Sequence, residues 1–92
     1  MNHKSYFDGA VQSLGFSHAG GDATVGVMEP GSYTFSTGAP ERMQVVAGVL
    51  GYRLPDGEWK TAKAGEQFNI AGNLAKFEFR AEGQVAYVCW FG

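Results

Sequence analysis

The chain has 92 residues, a formal net charge of −2 and a single cysteine. A chain of this length fits one small domain, residues 1–92, that buries only about 60–65% of its unfolded surface and has no internal disulfide to reinforce it. The weak negative charge gives no electrostatic reason to bind nucleic acid or an anionic membrane, and the lone cysteine favours a cytoplasmic location.

Turn-forming residues recur along the chain, and short segments rich in Val, Tyr, Phe and Thr lie between them. Even spacing of this kind is typical of an all-β sandwich or barrel, and no apolar run approaches the roughly 20 residues of a membrane span. Only the region Ser5–Gln12 favours a helix. The predicted strands are Val11–Phe16, Thr24–Met28, Tyr33–Thr37, Met43–Ala47, Val49–Leu54, Trp59–Thr61, Gln67–Ile70, Lys76–Ala81 and Val85–Phe91.

The last predicted strand is apolar on both faces. Val85, Tyr87, Cys89 and Phe91 alternate onto one face, whereas Ala86, Val88 and Trp90 alternate onto the other. Because successive side chains point to opposite faces of a strand, one face packs inside the barrel and the other is available to a second copy. Since a small barrel also has edge strands to cover, we expect a homodimer.

Two segments keep the outline of the paired motifs of cupin barrels. Glu41 and Gly48 keep the second half of the first motif, and the stretch from Gly65 to Gly72 keeps the shape of the second. Histidines are missing from both segments, including the positions around Phe35 and Thr37 where such barrels usually carry a pair. The sequence therefore predicts an all-β, cupin-type jelly-roll barrel without a metal site.

Several longer pieces carry a more specific resemblance. They are T-V-G-V-M (Thr24–Met28), P-G-S-Y-T-F-S-T (Pro30–Thr37), P-E-R-M (Pro40–Met43), V-V-A-G (Val45–Gly48), A-G-E-Q-F-N-I (Ala64–Ile70) and Y-V-C (Tyr87–Cys89). In this order the chain resembles the pyrimidine/purine nucleoside phosphorylase family, a group of small single-domain cupins. It departs from the family at Ala71, which stands in the place of a proline, and in the turn Gly72–Ala75, which is about one residue longer.

The resemblance implies an activity. Phosphate cleaves the N-glycosidic bond of purine and pyrimidine nucleosides, and the products are a free base and a pentose 1-phosphate. Nucleosides and inorganic phosphate are then the small-molecule partners, phosphate is a co-substrate, and neither a cofactor nor a metal is needed.

Glu41 is the candidate catalytic residue. Phosphorolysis passes through a cation-like sugar, and a carboxylate inside an apolar barrel stabilises such a species. Glu41 precedes an apolar strand at a position that points into the lumen in similar barrels. The alternative is that Glu41 only caps local backbone amides.

Mixed base specificity favours stacking over base-edge hydrogen bonds, because every base has a π-face. The candidate base-binding residues are Tyr33, Phe35, Met43, Phe68 and Tyr87, each of which is alternatively plain core. For phosphate, the candidate donors are Thr37 and Arg53, with Ser36 and Arg42 as further possibilities.

Two other functions stay open at this point. A metal-free cupin that binds a small ligand has the same pocket, whereas a metal-dependent oxygenase is disfavoured because His3 and His18 lie on unrelated segments. Cys89 alternates onto an apolar face and is expected to be a buried small hydrophobe rather than a nucleophile.

Overall fold

The computed structural model describes residues 1–37, 39–55, 57–72 and 74–91, with the side chains of all of these except Thr37, Leu74 and Ala75. The described residues form ten β-strands, and none of them belongs to a helix that could span a membrane. The strands are β1 (Asn2–Tyr6), β2 (Val11–His18), β3 (Gly21–Met28), β4 (Gly31–Thr37), β5 (Glu41–Ala47), β6 (Val49–Arg53), β7 (Lys60–Lys63), β8 (Gln67–Ile70), β9 (Leu74–Ala81) and β10 (Val85–Phe91).

The strands form two antiparallel sheets. Six strands build the larger sheet in the order β1-β2-β3-β10-β5-β8, and four build the smaller one in the order β4-β9-β6-β7. The chain crosses repeatedly between the sheets, so that strands distant in sequence, such as β3 and β10, become neighbours. This is the two-layered jelly roll expected from the sequence.

The inner faces of the two sheets pack against each other through the apolar half of each alternating strand. Val11, Met28 and Val85 stand opposite one another on β2, β3 and β10, and none of them has exposed surface. The small sheet contributes Leu50, Phe79 and Ala81 to the same core. Burial of this continuous apolar layer holds the two sheets together.

The predicted helix over Ser5–Gln12 is wrong. Tyr6 pairs with Val11 across a hairpin, and the turn between them places Phe7 and Asp8 in the left-handed region, with φ of 53° and 57°. The Phe7 ring lies 5.0 Å from that of Tyr33, which fastens the turn to β4. Because every residue of β1 is exposed, its sequence has no apolar alternation that would have revealed a strand.

The nine predicted strands are confirmed as β2–β10, with shifted ends. Trp59 precedes β7 instead of opening it, and the guanidinium carbons of Arg53 and Arg80 lie 5.3 and 4.5 Å from the centre of its ring. These cation–π contacts fasten the β6–β7 connection to the outer face of the small sheet. The lengthened turn after Gly72 lies partly outside the described residues.

Gly26 has a packing role that depends on its missing side chain. It pairs with Tyr87 of β10, and the Tyr87 ring lies directly over it. A β-carbon at Gly26 would be 2.5 Å from the Tyr87 hydroxyl oxygen and 2.8 Å from the Gln12 carbonyl oxygen. Glycine therefore allows Tyr87 to lean across β3 toward β2.

We predict that Gly26→Ala lowers the free energy of unfolding by about 1–3 kcal/mol, the usual cost of forcing an extra methyl group into a filled site. Denaturant unfolding followed by circular dichroism measures the change. The matched control is Gly83→Ala, where an added β-carbon has no neighbour within 4 Å. Equal stability of the two variants would contradict this account of Gly26.

Candidate active site

The two sheets line a cavity of about 800 Å³ that is open to solvent on one side. The smaller sheet contributes an aromatic wall, and the larger sheet contributes a wall of mostly polar side chains from β1, β2 and β3. Glu41 of β5 and Tyr87 and Cys89 of β10 lie on the same inner face of the larger sheet. One cavity thus combines a flat apolar surface, a carboxylate and several hydrogen-bond donors.

The aromatic wall is formed by Phe35 of β4 and by Phe77 and Phe79 of β9. The ring centres of Phe35 and Phe77 are 5.9 Å apart with an interplanar angle of 22°, and those of Phe77 and Phe79 are 5.3 Å apart in an edge-on arrangement. Phe35 is half-buried, whereas the other two are buried. The wall offers planar surfaces on which an aromatic ligand can stack.

The polar wall follows from the register of the first three strands. Lys4 pairs with Ser13, and Ser17 pairs with Asp22, so each pair points to the same side of the sheet. The Ser17 hydroxyl donates a hydrogen bond of 2.8 Å to the Asp22 carboxylate. The polar side chains of this wall are Asn2, Lys4, Ser13, Ser17, Asp22 and Thr24.

Glu41 begins β5 and is half-buried in the cavity wall. It pairs with Phe91 on one side and with Ile70 on the other, so apolar groups flank its carboxylate. Burial raises the pKa of Glu41, and a hydrogen bond with the Cys89 thiol acts in the opposite direction. Cys89 is the diagonal cross-strand neighbour of Glu41, because it pairs with Met43.

Tyr87 and Cys89, the titratable groups of β10, stay protonated at neutral pH. Burial, followed by the nearby Cys89, Tyr6 and Glu41, raises the pKa of Tyr87 to about 12. Burial and the neighbouring Glu41 carboxylate raise the pKa of Cys89 to about 12 as well. Both groups therefore keep their protons at neutral pH and can donate hydrogen bonds, and the Cys89 thiol is not poised to act as a nucleophile.

The structure brings four of the predicted site residues together in the cavity: Glu41, Phe35, Met43 and Tyr87. Ser36 also lines it. Thr37 ends β4, and its side chain lies outside the described part of the structure. These residues come from β4, β5 and β10, as the alternation of the sequence predicts.

Two of the predicted aromatic site residues, Tyr33 and Phe68, do not line the cavity, and neither does Arg53. Tyr33 is buried, and its hydroxyl donates a hydrogen bond of 2.6 Å to the Glu29 carbonyl oxygen. Phe68 stacks on Tyr52 with ring centres 3.8 Å apart. Both face the core, but their rings are engaged in packing outside the cavity.

Arg53 lies on the outer face of the small sheet. It pairs with Glu78, and its Nε donates a hydrogen bond of 3.0 Å to the carboxylate of that residue. Arg42 also points outward, where its guanidinium carbon lies 4.6 Å from the centre of the Trp90 ring. It lines a separate groove of about 810 Å³ that meets the cavity at Glu41. Arg42, a further possible phosphate donor in the sequence, therefore does not line the cavity.

Several residues of the cavity were not predicted from the sequence. The alternation of the sequence indicates that Phe77 and Phe79 share one face of their strand. They were not predicted as neighbours of Phe35 because they lie far in sequence from the cupin motifs. Lys4 and Ser13 gave no signal, because β1 was not recognised and Ser13 lies among small and polar residues. Ser13 is the buried polar residue of the described core.

Imidazole, thiol and carboxylate groups do not cluster among the described residues of the cavity. Across the described ranges, no three side chains of His, Cys, Asp or Glu are close enough to hold one. Cys89, the free cysteine, is engaged with a single carboxylate. Metal ligation by this wall would need donors that its described residues do not bring together.

Comparison with known proteins places the chain in a family. The family model for pyrimidine/purine nucleoside phosphorylase matches residues 1–91. The chain belongs to this family. A relative of that name from Vibrio cholerae is 56% identical over 94% of this chain and 90% of its own length. Another from Shewanella halifaxensis is 52% identical over 95% of this chain and 94% of its own length.

Solved structures of similar proteins have the same fold. A protein of unknown function from Vibrio parahaemolyticus has a TM-score of 0.91 and 47% identity, covering 96% of this chain and 94% of its own. The cupin domain of an XRE family transcriptional regulator from Enterobacter cloacae has a TM-score of 0.70 at 19% identity, covering 87% of this chain and 93% of its own. The fold is therefore cupin-type, as the sequence predicts.

We predict that the Glu41 carboxyl titrates with a midpoint above pH 4.5, because its pKa is raised by burial. Cys89→Val should move the midpoint further up, since the thiol hydrogen bond favours the ionised form. Cys89→Ser keeps a donor and should leave the midpoint near that of the wild type. Carbon-13 NMR of glutamate-labelled protein measures these midpoints.

Glu41→Gln identifies the resonance by removing it. A wild-type midpoint that is not raised above the ordinary glutamate value would contradict a dominant effect of burial on this carboxyl. Identical midpoints for the wild type and Cys89→Val would show that the thiol does not act on Glu41.

Proposed function

We propose that the protein cleaves purine and pyrimidine nucleosides with inorganic phosphate, releasing the free base and a pentose 1-phosphate. The observation that carries this proposal is the Glu41 carboxylate, which faces the same cavity as an aromatic wall in a chain of the nucleoside phosphorylase family. Relatives that share about half of their residues with this chain carry that name.

The aromatic wall suits the base of the nucleoside. Phe35, Phe77 and Phe79 have no polar atoms in their side chains, so they accept any base by stacking without reading its edge. A site that recognised a base edge by hydrogen bonds would reject the other class of base strongly. We infer broad base specificity from this wall.

Glu41 suits the pentose. As the C–N bond breaks, positive charge develops at the anomeric carbon, and a partly desolvated carboxylate stabilises that charge more than water does. Burial removes part of the hydration of the Glu41 carboxylate and raises its pKa. Its interaction with the sugar strengthens in the transition state, which is the condition for catalysis.

The proposed reaction balances without a further reactant. An oxygen of hydrogen phosphate forms a bond to the anomeric carbon, and the glycosidic C–N bond breaks. The electron pair of that bond goes to the base nitrogen, which takes up the proton released from phosphate. The proposed reaction uses neither a cofactor nor a metal, and the described residues include no group of three His, Cys, Asp or Glu side chains that could hold a metal ion.

We further propose that the reaction takes place in the cytoplasm as a step of nucleoside salvage. The free thiol of Cys89 supports a reducing compartment, because such compartments keep unpaired cysteines reduced. Phosphorolysis conserves the glycosidic bond energy in a pentose phosphate, which hydrolysis would lose.

We predict that the wild type releases free base from uridine and from inosine only when phosphate is present. Glu41→Gln should lower kcat/KM by about 10²–10³-fold, the usual cost of losing one preorganised electrostatic partner. Chromatography of the bases measures both rates, and activity should persist after treatment with EDTA.

A thermal melt at pH 7 separates a catalytic from a structural role of Glu41. Burial raises the pKa of Glu41, so the ionised group opposes folding at neutral pH and its replacement by Gln should not lower Tm. Base release without phosphate would indicate hydrolysis, and no release would favour a ligand-binding module. If Glu41→Gln had the turnover of the wild type, the catalytic residue would have to be another one.

We also propose that the protein is a homodimer formed through the outer face of the larger sheet. β2 and β3 expose neighbouring apolar side chains there, and β10 continues the patch with half-buried ones. Exposed apolar patches of this kind mark interaction surfaces. The patch consists of Leu14, Phe16, Val25, Val27, Ala86, Val88 and Trp90.

Light scattering at micromolar concentration should report a dimer for the wild type. Val25→Lys should shift it toward a monomer, because a charge would be buried in an interface of at least ~1,000 Å². Val49→Lys is the matched control, since Val49 is 50% exposed and Val25 is 40% exposed but they lie on different sheets. A monomeric wild type, or equal effects of both variants, would refute this interface.

A further inference from the structure

We infer that Lys4, Ser13 and Tyr87 form the phosphate subsite of the cavity. These three residues, the donor row, stand level with one another on the inner face of the larger sheet: Lys4 pairs with Ser13, Ser13 with Gly26, and Gly26 with Tyr87. All three line the cavity. The inference rests on the proposed phosphorolysis and assigns its second substrate to named residues.

Gly26 completes the donor row by leaving space for Tyr87. The Tyr87 ring lies over Gly26, which carries its hydroxyl across β3 toward Ser13 on β2. Because the pKa of Tyr87 is raised to about 12, this hydroxyl keeps its proton at neutral pH. Two hydroxyl donors and one ammonium donor therefore face the same space.

The donor row is available to a ligand. Lys4 is the one Lys or Arg side chain among the described residues of the cavity wall, and within the described part of the chain no carboxylate forms an ion pair with it. Nor do the hydroxyls of Ser13 and Tyr87 hydrogen-bond another described side chain. A cation with two neutral donors matches the oxygens of a phosphate dianion.

The backbone positions of the cavity carboxylates are offset along the strands from the donor row, although Glu41 is near enough to Tyr87 to contribute to its raised pKa. Val45 is level with Tyr87, and Glu41 is four residues from Val45 on β5, about 13 Å along the strand. Asp22, opposite Ser17, is likewise four residues from Gly26 on β3. The offset between these backbone positions leaves room for a pentose between the phosphate and Glu41.

The test compares phosphate kinetics of Lys4→Met, Lys4→Arg and the control Lys63→Met. Lys63 pairs with the exposed Val49, on the outer face of the small sheet. Lys4→Met should raise the KM for phosphate about ten- to a hundredfold, the loss expected for a charge-assisted hydrogen bond, and leave the KM for uridine within about threefold. Lys4→Arg should restore most of the phosphate affinity, and Lys63→Met should behave as the wild type.

A second measurement keeps this test separate from that of the proposed reaction. Phosphorus-31 NMR of inorganic phosphate detects binding without turnover, and line broadening by the wild type should be largely lost in Lys4→Met and weakened in Tyr87→Phe. An unchanged phosphate KM in Lys4→Met, or equal broadening by the two proteins, overturns the subsite. No broadening by the wild type also overturns it. Phosphate binding through Lys4 in a protein that releases no base would support the subsite and refute the phosphorolysis.

Discussion

The carboxylate of Glu41 is held among apolar groups at the start of β5, and the chemistry assigned to this barrel depends on that placement. Phe91 and Ile70 flank it on the neighbouring strands, so the ionised form loses part of its hydration. A hydrogen bond from the Cys89 thiol partly compensates the carboxylate for this loss of hydration. A poorly solvated anion interacts strongly with any positive charge that develops beside it. The account of catalysis follows from this local balance.

The remaining walls of the cavity follow from strand alternation. The small sheet presents phenylalanines from β4 and β9, whereas the first strands of the large sheet present lysine and hydroxyl groups. A nucleoside likewise has a flat aromatic part, the base, and a polar part, the sugar. Gly26 allows this arrangement, because the Tyr87 ring can cross β3 only at a residue without a side chain.

The sequence allowed much of this arrangement to be predicted, for identifiable reasons. Regular turns and period-2 alternation identified β2–β10, and the motif around Glu41 and Gly48 indicated the fold and the carboxylate. Gly48 has a φ of 85°, and an added β-carbon would be 2.5 Å from the Gln84 carbonyl oxygen, so the motif preserves a backbone requirement. A backbone requirement of this kind can be predicted from the sequence because it restricts the residue type at that position.

What escaped prediction depends on tertiary pairing. Arg53 and Phe68 have the right chemistry for a site, but Arg53 pairs with Glu78 and Phe68 stacks on Tyr52. Lys4 lies in a strand without apolar alternation, and only its pairing with β2 turns it toward the cavity. Residue type alone does not distinguish a surface lysine from one that faces a cavity across a hairpin.

A crystal structure of Glu41→Gln with uridine and phosphate bound would test the central claim most directly. The account predicts the base against Phe35, Phe77 and Phe79, the pentose beside residue 41 and the phosphate at Lys4. A nucleoside bound instead in the groove of Arg42 and Trp90, with the cavity between the sheets filled by water, would contradict it.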